Sequence, residues 1–253
     1  MICPVYNEQD SIKEFYHNLR NFYINDVIFI DDGSTDKCKD FLLQIKSKET
    51  FLINHPERRG YGAALLSGFG FSLERGYKKI ITIDVDLQHN PENIPVFLSE
   101  LDEHEVVLGS RYLGTDIFFL NVPGARLTIN KYISGLIGQL FSIHCTDPFC
   151  GFRGYRENFL KKMNLSHKSY GLGLEIVLEI IRTKTPFKEI PIKIVYNNHL
   201  KKFLDGLDDP RKRLLYYLDI LSDKKKDMEF ILFLKSRKDK NGKKVYGSEP
   251  SSR

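Results

Sequence analysis

The sequence predicts an α/β fold built on a mostly parallel sheet with helices on both faces, and three observations carry that prediction. Short apolar runs alternate with helical patterns through the first half of the chain, the order that a parallel sheet with crossover helices requires. Polar clusters follow four of the apolar runs, and open sheets of this kind bind ligands outside the carboxyl ends of their strands. At 253 residues and 42% hydrophobic composition, the chain can fill the core of one large domain.

The elements follow in order. "ICPV" is a buried strand ending in the cluster "CPVYNE", with a helix from about Glu8 to Phe22. "DVIFI" is the second strand, closed by "DDGSTD", where Gly33 turns the chain and Ser34 or Thr35 can cap the next helix. "TFLIN" is the third, followed by a helix from Gly60 to Arg75. "KKIITID" is the fourth and runs into "DVDLQHNP"; a helix opens at "NPENIPVFLSEL", and "EVVLGS" is the fifth strand before "GSRY". The second half differs in kind. A long helical stretch in "NVPGARLTINKYISGLIGQLF" precedes the turn-rich "DPFCGFRGYR", a helix around "GLGLEIVLEIIR", a strand "FKEIPIKIVY" and a helix "PRKRLLYYLDIL". The predicted organisation is one domain over residues 1–222, with halves 1–112 and 113–222 packed together without a linker. A lysine-rich tail, 223–253, follows and is expected to be partly disordered.

Bulk properties remove several function classes. A net charge of +5 and a pI near 8.8 suit acidic small molecules or an anionic surface but are too mild to imply nucleic acid. Cys3, Cys38, Cys145 and Cys150 form no C-x-x-C pair and are too few for a disulfide framework, which points to a reducing, cytoplasmic setting. Nothing reads as a signal peptide, and stretches such as "YISGLIGQLF" and "FILFL" fall short of the ~20 apolar residues that a spanning helix needs.

The chemistry centres on Asp84 and Asp86. A lone D-x-D is more often an acidic surface loop. Two residues apart on an extended chain, however, both carboxylates fall on one side, and hard oxygen ligands suit Mg²⁺ or Mn²⁺. "GYGAALLSGF" opens G-x-G, but Leu65 stands where a third glycine belongs and the motif follows the third strand, which argues against a dinucleotide site. Helix capping accounts for the serine of "DDGST" but not for two adjacent aspartates, one of which could accept hydrogen bonds from a ribose or base. His144, Cys145 and Cys150 match no zinc spacing, and a small buried thiol is the ordinary use of such cysteines. Arg111, Arg126 and Arg153 are surface charges by default; near the rim they would suit phosphates, which guanidinium binds as a bidentate fork.

Taken in order, "CPVYNE", "DDGSTD", "GYGAALLSGF", "DVDLQHNPENIP", "GSRY" and "DPFCGFRGYR" resemble the family-2 glycosyltransferases of GT-A fold, and among them the dolichyl-phosphate and polyprenyl-phosphate sugar synthases. The resemblance covers roughly residues 1 to 195, and six ordered motifs are far more specific than one. It implies a metal-dependent, inverting enzyme that takes a sugar from a nucleotide diphosphate sugar, with residues 1–112 as the nucleotide-sugar half and 113–222 as the acceptor half. Asp84, Asp86 and Gln88 match its ligands for Mg²⁺ or Mn²⁺. Pro4, Tyr6, Glu8 and Asp32 match the nucleoside side, and Arg111, Arg126 and Arg153 match arginines near the phosphates. A polyprenyl phosphate acceptor needs no general base; a glycan hydroxyl does, and Asp147 is the carboxylate expected to serve.

The departures from that family are specific. Only two residues precede "CPV", so either the first strand is short or the natural start lies upstream. Cys150 stands where serine or glycine is usual. A later arginine-glycine-x-serine-lysine loop is replaced by "YNNHLKKFLDGLDDPRKRL", and the spanning C-terminal segments of some relatives are absent. Two other classes stay open. A nucleotidyltransferase commonly carries a glycine-rich basic loop where this chain has "PVYNEQD". A non-catalytic nucleotide-sugar-binding protein would fit the altered loop after Tyr196. From Arg211 to Lys244, Leu214, Leu215, Leu218 and Leu221 beside Arg211, Lys212 and Arg213 predict peripheral attachment to an anionic membrane on its cytoplasmic face. The alternative is that these leucines dock the helix on the core.

Overall fold

A computed structural model describes residues 1–113, 122–193, 203 and 206–236, with 227–236 given by backbone alone. Among the described residues one sheet holds strands β1 (Ile2–Val5), β2 (Val27–Asp31), β3 (Thr50–Asn54), β4 (Lys79–Thr82), β5 (Val106–Ser110), β6 (Arg153–Arg156) and β7 (Phe187–Pro191). Their order is β3-β2-β1-β4-β6-β5-β7. Neighbours pair in parallel except at β6, which runs antiparallel to both β4 and β5. The helices are α1 (Ile12–Phe22), α2 (Cys38–Gln44), α3 (Tyr61–Glu74), α4 (Ile94–Glu103), α5 (Gly124–Phe141), α6 (Glu157–Lys162), α7 (Leu172–Thr183) and α8 (Pro210–Ser236).

The central strands β1, β2 and β5 are buried along their whole length, which is why they read as continuous apolar runs: both faces are covered. Successive side chains divide between two cores, as a period of two requires. Ile2, Ile28, Ile30, Ile80, Val106 and Leu108 pack against α3 and α5–α8 on one face. Cys3, Val27, Phe29, Ile81 and Val107 pack against α1, α2 and α4 on the other. All four cysteines are buried and free.

The structure changes four expectations. First, α1 begins at Ile12, not Glu8; Asn7 turns the chain at φ +54°, a conformation asparagine tolerates, and residues 6–11 are left for the rim. Second, the turn-rich "DPFCGFRGYR" ends in a strand, and β6 joins the middle of the sheet. Third, α8 continues through Ser222 to Ser236, so the predicted tail starts as helix; residues 237–253 lie outside the described residues, as does the end of "FKEIPIKIVY". Fourth, the membrane face proposed for α8 is corrected at its start. Leu221 is buried and Leu214 and Leu218 pack on the core, while Arg213 is only 4% exposed, leaving Leu215 at 61% as the exposed leucine of the four. Among the described residues no helix is long and apolar enough to cross a membrane.

The fit of β5 to β6 depends on Gly109. A Cβ there would stand 2.8 Å from the carbonyl oxygen of Phe152 and 3.1 Å from Ile192 Cδ1. Gly109→Ala should therefore cost about 1–3 kcal/mol by overpacking. Gly135→Ala, in the open middle of α5 with nothing within 4 Å, should gain roughly 0.5–1 kcal/mol. Urea unfolding of the two variants beside the parent checks both signs.

Candidate active site

Because β1, β2, β4 and β5 run the same way, their carboxyl ends share one rim, and "PVYNE", "DDGS", "DVDLQ" and "GSRY" converge there. An antiparallel strand starts where its parallel neighbours finish, so β6 brings "DPFCGF" to the same rim. Its register sets Arg153 opposite Thr82, and Thr82 Oγ1 donates to the Gly151 carbonyl at 2.8 Å. The result is a cleft of about 490 Å³ whose lining includes Pro4, Tyr6, Glu8, Asp32, Asp84, Asp86, Gln88, Arg111, Arg126 and Arg153. Of the predicted site residues only Asp147 stays out of the lining.

At one end lie the carboxylates. Burial, then the charge of Asp86, pushes Asp84 up to about 7. Tyr61 donates its hydroxyl to Asp84 Oδ1 at 2.9 Å, and Gly151 is required beneath it because a Cβ there would overlap Asp84 Oδ2. Leu87 takes φ +62°, an unusual conformation for a branched side chain, and the turn lets the Gln88 N–H donate to Asp86 Oδ1 at 3.1 Å. Buried His89 leaves Nδ1 without a hydrogen-bond partner, with Nε2 3.8 Å from Asp84 Oδ2; burial holds its pKa down to about 4, so the ring is neutral. Among the described residues no Lys or Arg forms an ion pair with Asp84 or Asp86. Two uncompensated carboxylates beside an amide oxygen donor fit a hard divalent cation. Among the described residues no three His, Cys, Asp or Glu side chains form a ready cage, so the protein would supply part of a shell that water and phosphate complete, as suits Mg²⁺.

Asp32 is largely occupied. Its Oδ1 lies 2.7 Å from His55 Nδ1 and accepts the Arg59 N–H at 2.9 Å, while Oδ2 accepts the Gly60 N–H at 2.8 Å. It thus fixes the loop into α3 as well as lining the cleft. Glu8 accepts from Ser11 Oγ at 2.6 Å, and Arg58 lies over the Tyr6 ring at 5.3 Å.

The arginines do three different things. Arg111 grips Asp147 through Nε at 2.6 Å and Nη2 at 2.8 Å, and Asn130 Nδ2 donates to the same carboxylate at 2.8 Å. Burial alone would raise the Asp147 pKa, but the Arg111 charge and hydrogen bonds outweigh it and hold the carboxyl below its ordinary range. This corrects Asp147 as a general base: a fully buried, bidentate-paired carboxylate is a poor proton acceptor, and its work is to aim Arg111. Arg153 is corrected likewise. It is 2% exposed and donates to the carbonyls of Cys150 (2.6 Å), Gly173 (2.7 Å) and Pro148 (2.7 Å), so it clamps the "DPFCGF" loop and is not a free phosphate fork. Arg126, at the start of α5, lies over the Phe203 ring at 4.7 Å.

The sequence reading missed an aromatic wall of the cleft that leads away from Asp84. Tyr61 stacks on Tyr170 at 5.9 Å, Tyr170 meets Phe203 edge-on at 5.2 Å, and Phe149 packs on Tyr217 at 4.3 Å; Ile129 and Ile176 complete an apolar wall. Arg213 also enters here, over Phe203 at 4.4 Å. No sequence signal separated it from Arg211 and Lys212, since only helix phase turns it inward.

Comparison with known proteins agrees with this geometry. The model of "Glycosyl transferase family 2" matches residues 1–163. A UDP-N-acetylglucosamine–dolichyl-phosphate N-acetylglucosaminyltransferase of Methanococcus voltae is 27% identical over 217 residues, covering 79% of this chain and 86% of that one. An undecaprenyl-phosphate mannosyltransferase of Micrococcus luteus is 29% identical, covering 77% and 82%. Among solved structures, glucosyl-3-phosphoglycerate synthase of Mycobacterium tuberculosis, bound to Mn²⁺, UDP-glucose and phosphoglyceric acid, superposes with a TM-score of 0.68 at 15% identity, over 88% of this chain and 78% of that one. The fold is the GT-A glycosyltransferase fold.

The raised Asp84 pKa fixes the sign of a pH effect. The unfolded carboxyl titrates near 3.8 and the folded one at about 7, so its stability contribution is full below the lower value and is lost as pH rises through the upper one. His89 and the buried N-terminus shift the other way, so the effect is read as a difference. Asp84→Asn should raise the metal-free Tm at pH 8 more than at pH 6, by a few degrees. An equal gain at both pH values in scanning calorimetry would show that Asp84 is already ionised at pH 6.

Proposed function

The chain belongs to glycosyl transferase family 2, and from that premise we propose that it moves a sugar, with inversion, from a nucleotide diphosphate sugar to the phosphate of a polyprenyl lipid. The observation that carries this reading is the presence in one cleft of a carboxylate pair without a Lys or Arg ion partner among the described residues and of arginines set among aromatic rings. The two relatives named for dolichyl phosphate and undecaprenyl phosphate support the acceptor class.

Asp84, Asp86 and Gln88 would hold Mg²⁺ or Mn²⁺. When bound, the ion supplies a Lewis acid for the diphosphate oxygens. Pro4, Tyr6, Glu8 and Asp32, which line the cleft together, would take the nucleoside. Arg111, held rigid by Asp147 and Asn130, offers preorganised positive charge where negative charge builds on the departing nucleotide diphosphate, and a fixed donor in a half-buried site is effective there. A phosphate acceptor is substantially ionised near neutral pH, its second pKa lying near ~6, and attacks without a base. The cleft matches that economy. Glu8 and Asp32 are hydrogen-bonded, Asp84 and Asp86 are given to the metal, and Asp147 is paired. A glycan hydroxyl would need a proton acceptor that this set does not offer.

A polyprenyl acceptor stays in its bilayer, so the enzyme must come to the surface. Exposed Arg211, Lys212 and Leu215 at the start of α8 support a reversible contact worth on the order of 1 kcal/mol per basic residue. Co-sedimentation with anionic liposomes should fall as salt rises and on Arg211→Glu with Lys212→Glu; binding indifferent to both would remove the surface contact from this reading.

The central test is donor binding and transfer. Asp86→Ala should keep the fold but abolish Mn²⁺-dependent binding of nucleoside diphosphate and lower transfer by roughly 10³-fold, the scale of several kcal/mol of lost charge stabilisation. Calorimetry with and without EDTA, beside a transfer assay using a prenyl phosphate, decides it. Parental affinity in the variant would exclude the D-x-D pair as the metal site.

A further inference from the structure

We propose that Arg213 completes, with Arg126, a seat for the phosphate monoester of the acceptor, built around the ring of Phe203. This deepens the function proposed above and rests on it for the acceptor's place in the reaction, but the seat itself rests on the geometry of three residues.

Arg213 is 4% exposed, yet among the described residues no carboxylate pairs with it. Its contacts are a hydrogen bond from Nη1 to the Leu207 carbonyl at 2.7 Å and the face of Phe203, with the guanidinium carbon 4.4 Å from the ring centroid. Arg126 lies over the same ring at 4.7 Å, so a second positive charge shares its surroundings. Asp208 and Asp209 act on Arg213 only at a distance, and burial, then offset by Tyr217, pulls its pKa downward, with Arg126 adding to the fall.

A buried guanidinium beside another is unfavourable unless an anion joins them. One hydrogen bond and one ring leave most of the five N–H donors of Arg213 uncommitted, in a fork that matches two phosphate oxygens. Arg126 and Arg213 both line the cleft, in company with Tyr170, Tyr217, Ile129 and Ile176. A dianion set against aromatic and aliphatic walls is the recognition pattern for a phosphate carried on an apolar chain. A free phosphate or a small phosphorylated acid would use the two arginines and leave the walls unused.

The test uses the whole protein and three probes: farnesyl phosphate, farnesol and inorganic phosphate. In calorimetry the parent should bind farnesyl phosphate at least tenfold more tightly than either other probe. Arg213→Gln should weaken that binding tenfold or more while Mn²⁺-dependent binding of nucleoside diphosphate stays within twofold, which also reports a folded donor half. Arg213→Lys, which keeps the charge and loses the fork, should fall between them and carries the test if the glutamine variant does not fold. Farnesyl phosphate binding unchanged in both variants overturns the seat. A parent that binds inorganic phosphate as tightly as farnesyl phosphate, with both lost in Arg213→Gln, upholds the seat and overturns the lipid acceptor.

Discussion

An antiparallel strand begins where its parallel neighbours end, and the site of this protein depends on that constraint. β6 lies between β4 and β5, so the loop entering it reaches the rim at which the parallel strands stop. Had β5 paired directly with β4, residues 147–152 would have no place there. Arg153, at the start of β6, then fastens the arriving loop through three carbonyls. From the other side Glu189 on β7 accepts the Thr146 N–H and hydroxyl at 2.8 and 2.9 Å. The loop is held at both flanks, and Asp147 can aim Arg111 because it does not move itself.

The cleft gathers carboxylates and guanidinium groups, and Arg111 there forms a bidentate pair with Asp147. The charge of Asp86 adds to the cost of ionising Asp84, and Arg126 and Arg213 share the ring of Phe203. A cation would relieve the carboxylates, and an anion would relieve buried Arg213.

The C-terminal helix is tied to the carboxylate end as well as to the arginines. Lys224 on α8 reaches Glu175 of α7 at 3.0 Å, and that buried carboxylate accepts the backbone N–H groups of Ser166 and His167. The next carbonyl, of Lys168, accepts the Ala63 N–H at 3.0 Å in the first turn of α3, beside Tyr61, whose hydroxyl meets Asp84. Removal of α8 would therefore be felt at Asp84 as well as at the arginines.

The sequence by itself determined the alternation of strands and helices, the α/β class and the rim motifs, because apolar runs, turn residues and paired carboxylates are local patterns that burial and strand periodicity enforce within a few residues. "DVDLQ" and "GSRY" could be placed at strand ends for that reason. The tertiary structure decided what each charged residue does. Asp147, Arg153 and Arg213 carry charges of the same two kinds as Asp86 and Arg126, yet one is a clamp on Arg111, one a clamp on a loop, and one a cleft arginine mistaken for a surface cation. Those roles follow from partners far away in the chain: Arg111 for Asp147, Gly173 for Arg153, and Arg126, over the same ring, for Arg213. A charge acts through what it touches across space, and the order of β6 in the sheet and the phase of α8, which set those contacts, leave no local mark in the sequence.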